Sequence, residues 1–210
     1  LGFAAENCYS MSFERKNLVY VVRRTENKLQ EMLHILGRVP GSAIIYTLNR
    51  KKTKEIAEFL VANGGTAEYY HAGLSPEIKD CREEEWKSGK VRVMVSTNAF
   101  GMGIDKPDVR LVLHADIPSS IESYFQEAGR AGRDGNTAYA VTLFSRYDKP
   151  VVARRLNDNF PPKEFIRTIY DDLCYYYTMA LGDGLNCTYE FSLGDFCKIY
   201  HHQPLPADSA

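Results

Sequence analysis

No apolar run in this chain approaches the roughly 20 residues that a membrane-spanning helix needs, so a transmembrane reading has no support. Charge of one sign is also missing. The formal net charge is −1, which excludes a bulk electropositive field and leaves local clusters as the only means of holding nucleic acid. Five cysteines (Cys8, Cys81, Cys174, Cys187 and Cys197) occur without a single C-x-x-C pair. An odd, irregularly spaced set without a signal peptide fits reduced thiols in a cytoplasmic or nuclear compartment better than a disulfide framework. No zinc is expected from them, nor from His201-His202. The phosphate-cradling pattern G-x-x-x-x-G-K-[ST] is absent, and no acidic run stands in for a magnesium-binding strand. The chain opens on Leu1 rather than methionine, and is read as a piece of something longer.

What the chain does have is concentrated between Val95 and Gly135. Two polar loops, Thr97–Asp105 and Gly129–Gly135, are separated by an apolar strand and a short amphipathic helix. Glycines at 101, 103, 129, 132 and 135 allow close backbone approach or positive φ. Arg130 and Arg133 lie three residues apart among small residues, where both guanidinium forks can reach outward. Such forks suit the oxygens of a phosphate group.

At 210 residues, with 44% hydrophobic and 25% charged, the chain holds one domain of ordinary size plus an appendage. Strand and helix alternate along it. Strands are predicted at Leu18–Val22, Ala43–Thr47, Thr66–Tyr70, Val91–Ser96, Val109–His114 and Ala138–Phe144. Helical spacing appears at residues 29, 32, 33 and 36, and again at Ile56, Ala57, Phe59 and Leu60. Ser75-Pro76 opens a further helix that runs to Gly89. Ser119-x-x-Glu122 forms a capping box for another, with Ile121, Tyr124, Phe125 and Ala128 on its buried stripe. This alternation predicts an α/β fold, a parallel sheet covered on both faces. Ligands of such sheets bind beyond the carboxyl ends of the strands. Asn49-Arg50, His71, Ser96-Thr97 and the start of the 119–128 helix should therefore share one edge. Residues 1–16 show no clean period. After Arg155 the character changes: Phe160-Pro161-Pro162 marks a boundary, Lys163–Leu181 reads as a tyrosine-rich helix, Thr188–Phe191 as a strand, Ser192–Tyr200 as a helix and Pro204–Ala210 as a frayed tail.

Four ordered motifs carry a family resemblance. Y-H-A-G-L at 70–74, F-G-M-G-I-D-K-P at 100–107, S-x-I-E-S-Y-F-Q at 119–126 and Q-E-A-G-R-A-G-R-D-G at 126–135 resemble the RecQ family of ATP-dependent DNA helicases. The match runs from about Ser12 to Leu156 and corresponds to the second RecA-like lobe of such enzymes. The resemblance implies an interlobe linker over 1–16, the lobe over 17–156, a mainly helical accessory segment over 157–203 and a tail over 204–210. It implies that Arg130 and Arg133 face ATP and Mg²⁺ bound mainly by the N-terminal RecA-like lobe, Arg133 being the favoured arginine finger. Gln126, Gly103 and Asp105 would couple the nucleotide to the cleft. Asn49, Arg50, His71, Ser96 and Thr97 would hold DNA, as a single strand beside a duplex junction. It also implies 3′-to-5′ movement, with this chain alone inactive. In the plain reading the arginines are surface residues, the lysines after Asn49 a solvated face, and His71 a structural histidine. Alternatives are another superfamily 2 motor, acting on RNA or chromatin, and a degenerate lobe kept as a binding module.

Overall fold

Residues 42–46 (Ser42–Tyr46, β2) and 93–96 (Val93–Ser96, β4) are buried throughout, on both faces of the sheet they share. That is the pattern of central strands in a parallel sheet. The computed structural model describes residues 14–100, 105–180 and 187–209. The other strands are Leu18–Arg24 (β1), Ala67–Tyr70 (β3), Val109–His114 (β5) and Ala138–Phe144 (β6). All pairings are parallel, in the order β1-β6-β5-β2-β4-β3.

Helices Lys28–Arg38 (α1) and Arg50–Ala62 (α2) cover one face. Met32, Ile35 and Leu36 of α1 and Ile56, Ala57 and Leu60 of α2 pack with Ile45, Val95, Leu111 and Leu113. Helices Pro76–Lys87 (α3) and Ile121–Ala128 (α4) cover the other. There Trp86, Ala128 and Ala131 pack with Ile44, Met94, Val112 and Ala140. The Trp86 indole N–H donates to the Ala43 carbonyl at 3.2 Å, which satisfies the one polar atom of this buried ring. Arg92 donates to the carbonyls of Leu36 (2.7 Å), Val39 (2.6 Å) and Gly41 (2.9 Å), pinning the end of α1 beneath the sheet.

The α/β reading therefore stands, with adjustments. The α4 cap is Ser120 rather than Ser119, its Oγ accepting from the Ser123 N–H at 3.1 Å. The apolar stripe of α4 is only partly buried: Ala128 is fully covered, but Ile121 is 75% and Phe125 55% exposed. The helix meets the sheet through its alanine end, against Ala138 and Ala140, while Phe125 leans on Tyr20 of the edge strand with ring centroids 6.2 Å apart.

The first compact unit ends at Arg146 and the second begins at Tyr147. The sequence boundary at 156/157 falls inside helix Asp148–Asn159 (α5), and α5 belongs with the second unit. That unit also holds Lys163–Tyr176 (α6), Leu193–Ile199 (α7) and Pro204–Ser209 (α8). Ile169, Phe196, Cys197 and Ala207 form its small core. Helix α6 stops short of Leu181, because Thr178 takes φ 52° and the Met179 N–H closes back on the Cys174 carbonyl. Residues 188–191 are not a strand: among the described residues no strand pairs with them, and the Glu190 carbonyl instead accepts from the Tyr177 hydroxyl at 2.8 Å. The expected tail is helical up to Ser209, held by buried Ala207. Residues 1–13 of the expected linker lie outside the described residues.

Candidate functional site

Because every strand runs the same way, the carboxyl ends of β2, β3, β4 and β5 bring Tyr46, Tyr70, Ser96 and His114 into one row. Adjacent strands β2 and β5 lead into helices on opposite faces, α2 and α4, so a crevice opens between the two loops. It is a cleft of about 200 Å³ lined by Thr47, Leu48, Thr97, Asn98, His114 and Asp116, among others.

Asn49 is the N-cap of α2, and its Oδ1 accepts from the Lys51 N–H at 2.8 Å. Its amide nitrogen faces a different role from the capping oxygen, since only the NH₂ can donate. Arg50 and His71 come together at the ends of β2 and β3. A Cβ on Gly73 would lie 3.1 Å from Arg50 Nη1 and 3.4 Å from His71 Nδ1, so the missing side chain there leaves the space both groups occupy. Burial, then Arg50 and Arg82, hold the His71 pKa below its ordinary value. Thr97 is nearly buried but lines the cleft. Ser96 is a correction: it is fully buried, and its hydroxyl lies 2.8 Å from the Tyr70 carbonyl and 2.7 Å from that of Thr97. It sits beneath the edge and presents nothing to a strand laid across it. Lys52, in the cationic first turn of α2, is tied to Asp116, which also accepts from the Leu48 N–H at 3.1 Å.

The arginine loop is built at the other end of the strands. The Gly132 N–H donates to Val109 and the Asp134 N–H to Pro107, at the start of β5. Arg15 donates to the Ala131 (3.1 Å) and Gly132 (2.7 Å) carbonyls, and Asn17 to those of Gly132 (2.7 Å) and Asn136 (2.9 Å). Gly132 has φ 63°, and a Cβ there would meet Asn17 Nδ2 at 2.6 Å. Asp134 binds Arg110 at 2.6 Å, and that contact, with Asn136, holds its carboxyl down to about 2.

Over the α3/α4 face, Arg130 and Arg133 converge with Lys106, Trp86 and Phe100 around a small recess. Arg133 Nη1 donates to Asp105 Oδ1 at 2.9 Å. This ion pair ties Asp105 to the arginine loop. Arg130 is half-buried, and its positive charge acts on the buried hydroxyl of Tyr46. Gln126 is exposed on α4, but the helix ends at Ala128, so it does not share a continuing helical face with the arginines. Gly103 lies outside the described residues.

Sequence reasoning passed over Lys106, Tyr46, Arg15 and Asn17. Lys106 stood inside a quoted motif and its charge could have flagged it. The other three act through contacts more than 80 residues away in sequence, or from within an apolar strand, and carry no local signal. Among the described residues, no cluster of three His, Cys, Asp or Glu side chains is placed to hold a metal ion. Cys174 and Cys197 are buried, Cys81 and Cys187 exposed.

The sequence and the fold both match known proteins. Residues 15–135 match the helicase conserved C-terminal domain. The chain is 43% identical over 151 residues to the ATP-dependent DNA helicase RecQ of Bacillus subtilis, covering 70% of this chain and 25% of that protein. It is 40% identical over 153 residues to a putative ATP-dependent RNA helicase of Acanthamoeba polyphaga mimivirus, covering 72% of this chain and 28% of that one. The fold matches the crystal structure of the E. coli DEAD-box protein SrmB bound to the regulator RraA, with a TM-score of 0.60 and 25% identity over 67% of this chain and 86% of that one. The chain belongs to the helicase C-terminal domain family. Within it, the lobe is of the RecQ type, with 40 to 43% identity to DNA helicases of that family from bacteria and eukaryotes. It spans between 10 and 28% of the length of the relatives it matches.

Proposed function

We propose that this chain is the second motor lobe of an ATP-dependent DNA helicase, moving 3′ to 5′ along a single strand towards a duplex junction. The observation that carries the reading is the convergence of Arg130, Arg133 and Lys106 over one face, apart from the polar carboxyl edge. The two surfaces suit two different anionic ligands. At the edge, Arg50, His71, Thr97 and the Asn49 amide would hold successive phosphates of the strand, with Ser96 supporting Thr97 from below. Such contacts position a strand without reading its sequence.

On the other face, the forked cations fit the terminal phosphate oxygens of ATP, whose hydrolysis supplies the energy of movement. Mg²⁺ and the β-phosphate would be held by the N-terminal RecA-like lobe, since this sequence has no phosphate-binding loop. Arg133 is exposed enough to meet a ligand from across a cleft, its side chain being 37% accessible. Arg130 lies deeper and orients beside it. Asp105 exchanges with phosphate for Arg133; Gly103 and Gln126 belong to the same coupling region. The lobe by itself would not turn over ATP.

The test uses the full-length protein. Arg133→Ala should lower ATP turnover by about 10³-fold or more while nucleotide binding survives, the range set by arginine fingers elsewhere. Unchanged turnover would remove the finger role. Duplex unwinding measured on DNA and on RNA separates DNA and RNA substrates, a comparison made pertinent by the RNA helicase name of the mimivirus relative.

A further inference from the structure

Tyr46 is the last residue of β2 and is 3% exposed. Its hydroxyl donates to the Phe100 carbonyl at 3.1 Å, a buried bond between residues 54 apart. Phe100 in turn closes a turn on Thr97, its N–H donating to the Thr97 carbonyl at 3.3 Å. The positive charge of Arg130 acts on the same hydroxyl, and Arg130 lines one small recess together with Phe100. The ring stacks on His114, with centroids 5.6 Å apart and planes 22° from parallel. His114 is held by Glu127 of α4 at 2.9 Å, three residues before Arg130. Burial holds the phenol protonated far beyond neutral pH, against the opposing pull of Arg130.

We propose that Tyr46 is a positioning residue, joining the Thr97–Phe100 turn at the nucleic-acid edge to Arg130 on the phosphate side. The inference rests on the roles given above to Thr97 and Arg130. A phenol has one proton, and Phe100 takes it; the oxygen then offers only acceptance, which a guanidinium can use. A strand that draws the Thr97 turn towards it moves the Phe100 carbonyl, and the hydroxyl and Arg130 must follow. Stacking on His114 and the His114–Glu127 contact keep the ring and α4 from moving independently. Nucleic-acid binding thereby sets the aim of Arg130.

The experiment compares wild type and Tyr46→Phe in the full-length protein, which keeps ring, volume and stacking but removes both contacts of the oxygen. Strand-stimulated kcat should fall about tenfold or more, the worth of one hydrogen bond to a charged group, while KM for ATP and affinity for the strand hold. Combined with Arg130→Lys, the variant should cost nothing further, because the fork it served is gone. Incorporating 3,5-difluorotyrosine at position 46 provides a second arm, keeping the hydroxyl but lowering its pKa. Stimulated kcat should then decline towards alkaline pH where the wild-type profile is flat. Retained stimulation in Tyr46→Phe, losses that multiply with Arg130→Lys, or a flat difluorotyrosine profile would each overturn the coupling. Absence of any strand-stimulated hydrolysis in the wild type would instead sink the motor reading, and this inference with it.

Discussion

Replacing Gly132 by alanine perturbs the arginine loop at its tightest point. The backbone there has φ 63°, a left-handed conformation that costs an alanine roughly 1 kcal/mol. The new methyl would also meet Asn17 Nδ2 at 2.6 Å, Ala138 Cβ at 2.9 Å and the Asn136 carbonyl at 2.9 Å. Crowding of this kind costs about 1–3 kcal/mol. Asn17 cannot retreat without giving up its bonds to Gly132 and Asn136, about 1 kcal/mol for each one lost. The expected loss is about 3–5 kcal/mol, a large part of the 5–15 kcal/mol by which domains are stable. Gly135→Ala is the matched control. It lies in the same loop with φ 83°, but nothing stands within 4 Å of its Cβ position, so only the backbone term applies. Thermal unfolding of the two variants should differ clearly: about 10 °C lower for Gly132→Ala and about 2–4 °C for Gly135→Ala, at the usual 2–4 °C per kcal/mol for chains of this size. Equal shifts would refute the reasoning, for they would mean that the fit around Asn17 has no energetic weight.

Strand affinity should depend on pH through His71. Its pKa lies below the ordinary value in the free lobe, and neighbouring phosphates would raise it, so binding takes up a proton and affinity rises as pH falls through the pKa of the bound state, by at most about tenfold per pH unit. Titrating affinity against pH in His71→Gln should give a flat line if the histidine is responsible. The Asp134 carboxyl is held down to about 2, so its stabilising contribution is complete above about pH 4 and is lost as pH falls towards 2. Melting temperature across that window should fall less steeply in Asp134→Asn than in wild type. Ser96→Ala should cost about 1 kcal/mol of stability through the lost hydroxyl bond to the Tyr70 carbonyl, which keeps the Thr97 N–H, yet leave strand affinity unchanged; weaker binding with intact stability would put Ser96 on the strand after all.

The sheet and its edge were legible because both follow from periodicity. Apolar runs at 43–47, 91–96 and 109–114 are long enough for buried strands, and parallel connections leave no choice about which ends carry the loops. The arginine pair was legible from its glycines. The supports of that pair were not: Arg15 and Asn17 reach the loop across more than a hundred residues, and Tyr46 reads as one more apolar strand position. The stripe on α4 misled for the opposite reason. Its spacing is helical, yet the side that touches the sheet is chosen by Ala128 and Ala131, which allow close approach, so Ile121 and Phe125 stay outside. In the second unit, Thr188–Phe191 has strand composition but pairs with no strand among the described residues, and composition cannot reveal a missing partner.

On the reading proposed above, a chain of net charge −1 meets its anionic ligands through local cations, and an acid paired with such a cation is one a ligand can displace. The Arg133–Asp105 pair is the clearest case: the arginine side chain is 37% and the carboxylate 79% accessible. A pair so exposed contributes about 0–1 kcal/mol, little enough for a phosphate oxygen to take the carboxylate's place. Asp105 therefore holds the guanidinium in a defined direction without locking it. Arg110 with Asp134 is different. Those side chains are only 17% and 25% accessible, and the arginine also donates to the Pro107, Asp108 and Thr137 carbonyls. That arginine is a structural tie, fixed in the frame that carries the loop. The difference in accessibility thus separates the open ion pair from the one built into the frame, although both sit beside the same turn.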